Sequence, residues 1–160
     1  MLSSLFVEGH FVWRGLTEVA GELLAMGLHR QPSKKLPFWL SETRKRLFMC
    51  AYRSDKTMAT LLGRPPRISK LYCNVEMPFE IDDGDIMLEP DALNHVLSKL
   101  DKDGWDRNSA PRIRQTSGMR LRFQISLIRE EILELSMGPS AASPGYIAQL
   151  MLVPANLPRH

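Results

Sequence analysis

Cysteine is scarce in this chain: Cys50 and Cys73 are the only two among 160 residues, and they form no CxxC pair. Structural zinc sites draw on closely paired Cys and His ligands, so these two thiols give no basis for one. They give no disulfide framework either, and Cys50, inside a helical pattern, reads as a small core residue. Long apolar runs are equally missing. No stretch approaches the about 20 residues that span a bilayer, and the charge-free run over 146–158 is short and carries Pro154. The N-terminal MLSSLFVEGHFVWRG lacks a basic leader and meets Glu8 and His10 early, which makes it a poor signal peptide. The chain is expected to be soluble and without a membrane partner.

Catalytic and phosphate-binding motifs are absent too. There is no GxxxxGK[ST], GxGxxG or GxSxG run. His10, His29, His95 and His160 stand in no metal-ligand spacing. The acidic run over 82–85 has consecutive rather than alternating acids and is followed by Ile86, Met87 and Leu88, so an exposed turn explains it better than a calcium loop. Net charge is +3 and the pI about 9.0, too mild and too dispersed for a nucleic-acid footprint. No catalytic residue, cofactor-binding residue or metal ligand is assigned, and no enzymatic activity is expected.

What is present is helical periodicity. Residues 5–28 place Val12, Leu16, Val19, Ala20, Leu23 and Leu24 on one face, with Gly27 as a C-terminal cap. Pro32, Ser33 and Pro37 mark a loop over 29–40. Ser41 is a candidate N-cap, and Glu42 lies in the first turn of a second helix. Leu47, Phe48, Ala51, Tyr52, Asp55, Met58, Ala59 and Leu62 form that helix's inner stripe, and Gly63 followed by Arg64-Pro65-Pro66 ends it. Residues 67–90 read as extended and irregular, and residues 91–100 as a short helix. Pro111 is a candidate start for a fourth long helix, with Leu121, Ile125, Ile128, Ile132 and Leu135 as its stripe and Arg129, Glu130, Glu131 and Glu134 off it. Gly138-Pro139 stops it. A polar linker over 140–145 and a short apolar segment over 146–153 follow. No strand alternation competes, so the expected fold class is all-α, an irregular multi-helix bundle.

Two groups of charged residues need an account. Arg44, Lys45 and Arg46, with Arg53 and Lys56 beyond, spread around a helix and read as a solvated face, Glu42 and Arg46 being spaced to pair. Asp55 interrupts an apolar stripe, and a carboxylate there needs a partner or loses several kcal/mol to desolvation. The expectation is that it pins the Gly63-Arg64-Pro65 turn through Arg64, with Arg44 or Arg46 as other candidates.

The order of these features resembles the regulatory middle domain of fungal zinc-cluster transcription factors. The matching elements are Gly27-Leu28-His29-Arg30 at a helix end, Glu42 with Arg44-Lys45-Arg46, Phe48, Asp55-Lys56, Gly63-Arg64-Pro65, then Val75-Glu76-Met77-Pro78 and Asp82-Asp83. The structural motif therefore comprises Gly27, His29, Arg30, Glu42, Arg44, Arg46, Asp55, Gly63, Arg64 and Pro65. The resemblance implies that residues 1–137 are part of such a domain, a fragment beginning within a larger fold, and that 138–160 are a linker and a short apolar helix. It implies transcription regulation in the nucleus. The partners would be another transcription-regulatory protein or other parts of the same factor, with a small-molecule effector as a further ligand. Zinc and DNA belong to the family's six-cysteine module, which these residues do not supply, so this chain would hold no cofactor and meet DNA only indirectly. The alternative is a stand-alone helical interaction module without DNA binding.

Overall fold

The computed structural model describes residues 2–107 and 114–138. Four α-helices carry the fold: α1 (Leu2–Ala25), α2 (Phe38–Leu62), α3 (Pro90–Leu97) and α4 (Gln115–Met137). Two short 3-10 turns, Lys70–Tyr72 and Asp83–Met87, punctuate the irregular chain between α2 and α3. Among the described residues there is no strand, and one isolated antiparallel bridge joins Leu100 to Asp106. The all-α expectation holds.

Helix α1 ends earlier than its apolar pattern because Gly27 takes a left-handed φ of 65°. Gly27 N–H then reaches Leu24 O (3.0 Å) and Leu28 N–H reaches Leu23 O (3.0 Å), a Schellman closure that satisfies the last carbonyls. Leu28 lies just past the helix and is buried beside Leu23 in the same core cluster. The inward face runs through Ala20 and Leu23, with Trp13 and Leu16 half-buried. Val12, Val19 and Leu24, expected on that face, are exposed, because α1 turns its Trp13 side toward the chain that leaves α2.

Helix α2 starts at Phe38, before the candidate cap Ser41. Pro37 is the N-cap, and its carbonyl takes the first helical bond from Ser41 N–H (3.0 Å). Glu42 is therefore a second-turn residue rather than a complement to the dipole at the helix start. At the other end Gly63 has φ 60°, and Arg64 N–H closes back on Ala59 O (3.0 Å), as the cap reading required. Between these ends α2 is the axis of the molecule. Phe48, Met49, Ala51, Tyr52 and Ala59 are buried, and so are Glu42, Lys45, Arg46, Asp55 and Lys56. Leu47 and Cys50 lie on its outer side and are exposed, against the expectation that both were core.

The core is aromatic where α2 meets α4. Tyr52 and Phe123 have ring centroids 5.0 Å apart, and Phe48 packs on both at 5.8 and 6.3 Å. Ala20, Leu23, Leu28 and Ile68 complete it. The irregular segment contributes more than the sequence pattern indicated: Ile68, Pro78 and Ile81 are almost wholly buried.

Helix α4 is turned the other way from its sequence stripe. Leu121, Ile125, Ile128 and Ile132 are 48–58% exposed, while Thr116, Ser117, Arg120, Phe123, Ser126, Glu130 and Leu133 face inward. Two residues of helix are about 200° of rotation, so a face through Phe123 is nearly opposite one through Ile125. Pro111, the linker over 140–145 and the apolar segment over 146–153 lie outside the described residues.

Candidate functional site

Asp55 is buried, as its place in the stripe demanded, but its partners are not the expected ones. Its carboxylate accepts from the backbone N–H of Arg67 (3.0 and 3.1 Å) and of Ile68 (3.0 Å). The neighbouring Lys56 ammonium lies 3.2 Å away. Arg64 does not reach it. Arg64 instead stands over the Trp13 ring at 5.2 Å, next to Arg67 at 3.3 Å. The reason is geometric: the left-handed turn at Gly63 sends Arg64 toward α1, and the chain folds back so that main-chain donors arrive over Asp55. Asp55 thus fixes the exit from the Gly-Arg-Pro turn a few residues later than expected.

Lys56 joins this layer to α4. Its ammonium donates to Ile68 O, lies 3.6 Å from Glu130 and sits 4.4 Å over the Tyr52 ring. Glu130 accepts from the Tyr52 hydroxyl and from Lys70 N–H (3.0 Å). Lys56 is fully buried and Glu130 nearly so. Burial pulls the Lys56 ammonium below the ordinary lysine range, with Asp55 opposing. Burial raises the Glu130 carboxyl, and the Lys70 N–H bond opposes that rise. Each charge is desolvated, yet each has hydrogen-bonding partners. That combination clamps geometry more than it adds net stability.

The basic cluster is not a solvated face. Arg44 donates to Gly27 O (3.1 Å), tying α2 to the end of α1. Lys45 pairs with Glu42 (3.2 Å) and Glu76 (3.3 Å) and lies 5.1 Å over the Phe79 ring. Arg46 donates to Ile81 O (3.0 Å) and pairs with Asp83 rather than Glu42. Glu42 is buried and accepts from Phe79 N–H (2.9 Å). The segment over 76–83 crosses the first half of α2 and supplies these partners. His29 is half-buried and accepts through its carbonyl from Asn74 N–H (3.1 Å), whereas Arg30 and Pro65 are exposed. The motif residues therefore form three separate joints: α1 to α2 at Gly27 and Arg44, α2 to the crossing segment at Glu42 and Arg46, and α2 to its own exit at Asp55.

Several residues that hold these joints gave little sign of it. Glu80 accepts from Asp106 N–H (2.8 Å) and from the Ser117 hydroxyl. Its flanking Phe79 and Ile81 were the available signal. Glu130 stands seven residues from Phe123 and three from Leu133, which places it on their face, but the run Arg129-Glu130-Glu131 obscured it. The charged groups at these joints are engaged by one another or by main-chain groups, with Glu76 and Asp83 still largely exposed. Among the described residues no three His, Cys, Asp or Glu side chains converge on a point that would hold a metal ion, and no helix is long and apolar enough to cross a membrane.

The open feature lies on the far side of α4. Ile125, Ile128, Ile132 and Leu133 line a groove of about 530 Å³ that runs to Thr60 and Gly63 at the end of α2. Arg129 crosses its edge to donate to the Thr57 hydroxyl (2.9 Å). With Leu121 the stripe continues along the helix. This is a row of large aliphatic side chains, each about half exposed.

None of the curated proteins and none of the solved structures compared with the chain matches it. A family profile does. It covers residues 13–133, from within α1 to near the end of α4, and its description is the fungal specific transcription factor domain. The three joints all fall inside that span, and the family is a transcription-factor domain rather than an enzyme family. The chain belongs to the fungal specific transcription factor domain family.

Proposed function

We propose that this chain is a nuclear, helical regulatory domain that acts on transcription through contact with other parts of a regulator and leaves DNA reading to a separate module. The observation that carries the reading is the pairing of the family match over 13–133 with an outward aliphatic row on α4. The chain's two cysteines cannot make the six-cysteine zinc cluster of the resemblance, so base contact falls to another module. The occupant of the α4 row is an amphipathic helical segment of the regulator, its apolar residues spaced to lie along Leu121, Ile125, Ile128 and Ile132. Regulation follows if that segment binds one arrangement of the domain better than another, since only differential affinity shifts a population.

Tethering tests this. The full chain is fused to an unrelated DNA-binding module in a fungal reporter strain, and reporter output is compared with the module alone. The fusion is expected to change output, and the double variant Ile125→Asp/Ile128→Asp to abolish the change at an unaltered thermal midpoint. A fusion indistinguishable from the bare module sinks the regulatory reading. An effect that survives the double variant sinks the assignment of the α4 row.

A further inference from the structure

The open row on α4 lies beside the point where the chain leaves that helix. Ser136 and Met137, in the last turn, line the same groove as Ile125, Ile128 and Ile132. Gly138 has left the helical conformation, with φ −69° and ψ 166°, and Pro139 has no N–H with which to resume it. The residues that follow are therefore delivered at the mouth of the groove.

Their composition suits it. Residues 139–158 carry no charged side chain, and 146–153 read YIAQLMLV before Pro154 closes the run. Tyr146, Ile147, Leu150 and Val153 recur at helical steps and share one face. On the groove side the lining is largely aliphatic. Among the described residues its one charged member is Arg129, held at the edge by the Thr57 hydroxyl (2.9 Å). Neither surface asks the other to desolvate an unpaired charge.

The lengths suit it as well. Extended, residues 139–145 carry the chain about 26 Å, and Ile125 is about 20 Å from Gly138 along α4. Tyr146 can therefore reach any level of the row from Met137 back to Ile125. As a helix, 146–153 would be about 10 Å long, the length of α4 from Ile125 to Ile132.

We propose that residues 146–153 dock in the α4 groove as an internal occupant, with Tyr146, Ile147, Leu150 and Val153 against Ile125, Ile128 and Ile132. The inference rests on the reading of this row as the docking surface for a segment of the regulator, because 146–153 would compete with that segment for it. Tethering supplies a high effective concentration, while ordering the segment costs about as much as burying its apolar face returns. Docked and released forms therefore lie near balance. A contact so poised adds little resistance to unfolding and leaves the row open for about half the time.

The test follows the isoleucine methyl signals of the full chain by NMR, in wild type and in Leu150→Asp/Val153→Asp. The signals of Ile125, Ile128 and Ile132 are expected to move in the variant. Those of Ile68 and Ile81, which are buried in the fold, should stay. A peptide of residues 144–155 added to the variant should return the three signals toward their wild-type positions. In the tethered reporter the variant should act about twofold more strongly, since losing an equally populated competitor frees the other half of the row. Four results overturn the proposal: no movement at Ile125, Ile128 and Ile132, movement shared by Ile68 and Ile81, wild-type positions that change to those of the variant on dilution and so mark a second copy, or a reporter effect that the variant leaves unchanged. Any of these leaves the regulator's segment on the row if Ile125→Asp/Ile128→Asp still abolishes the reporter effect. Should that abolition fail while the methyl signals respond, the row is only an internal contact, and the competition proposed for 146–153 falls with the docking reading.

Discussion

The two sides of α4 divide their residues in the reverse of the usual order. Toward α2 the helix presents Thr116, Ser117, Arg120, Ser126 and Glu130 around Phe123 and Leu133. Away from it stand Leu121, Ile125, Ile128 and Ile132. The difference shows that a helix's inward face is chosen by what its neighbour offers. Here α2 presents a buried lysine and a tyrosine hydroxyl, and the strap at Lys70 a main-chain N–H. Glu130 answers all three, while Ser117 and Arg120 answer the segment over 78–81 and its partners. An aliphatic face turned inward would have left those groups unpaired, at about 1–3 kcal/mol each. The outward row is left about half exposed.

The inner face should break hardest at Asp55. Asp55→Ala removes the acceptor for Arg67 and Ile68 N–H and leaves Lys56 desolvated with one carboxylate fewer. A loss of about 3–5 kcal/mol is expected, the range for orphaning a buried charge, read as a lower urea midpoint in the full chain. A change under about 0.5 kcal/mol, typical of surface sites, would mean that Asp55 is wet.

Glu130→Gln comes next and is read best against pH. The variant keeps an oxygen for Lys70 N–H but sets an amide NH2 where Oε2 met the Tyr52 hydroxyl and the Lys56 ammonium, and about 1–3 kcal/mol is expected at neutral pH. Its pH signature follows from the raised carboxyl. The folded chain holds the Glu130 proton more tightly than the unfolded one, so this group's contribution is greatest at low pH. It declines from about pH 4.3, the ordinary glutamate value, up to the raised folded value, and is flat above it. The stability difference between wild type and Glu130→Gln should therefore shrink as pH rises through that window. A difference that grows with pH would show that Lys56 outweighs burial at this site.

Gly63→Ala is smaller. The position has φ 60° and open space where a Cβ would stand, so the expected cost is backbone strain alone, about 1–2 kcal/mol. A neutral result would mean that the α2 end relaxes without the left-handed turn, and with it the placement of Arg67 over Asp55.

Legibility in the sequence followed the range of the interaction. Gly27 and Gly63 announced both helix ends, because a left-handed cap is decided within a few residues. Asp55 announced that it was buried and needed partners, but the partners came from main-chain N–H groups twelve and thirteen residues on, which carry no side-chain signal. The basic run read as solvated because nothing local shows that residues 76–83 will cross it. On α4 the period was correct and the side was left open: Leu121, Ile125, Ile128 and Ile132 share one face, and periodicity alone does not say whether that face turns toward the core or away from it. Glu130 and Arg120 were overlooked for the same reason, since charged residues opposite an apolar stripe are ordinarily solvated.

The smallest expected effect decides whether the contrast between the two sides is real. Ile128→Ser on the outward row should shift stability by no more than about 0.5 kcal/mol, as for other surface changes. Leu133→Ala, five residues along and 6% exposed, should cost about 2–5 kcal/mol by the usual loss of burial and cavity creation. Paired urea titrations of the full chain give both numbers under one set of conditions. If Ile128→Ser cost as much as Leu133→Ala, the row would already be covered, by residues beyond 138 or by a second copy. Repeating the titration across protein concentrations separates those two, because only a self-association makes the midpoint rise with concentration. If the cost stays small, the row is not tightly covered in the isolated chain. On the proposed function, the free energy of covering Leu121, Ile125, Ile128 and Ile132 would then be available to a docking segment, and only its differential affinity for two arrangements of the domain would shift their population.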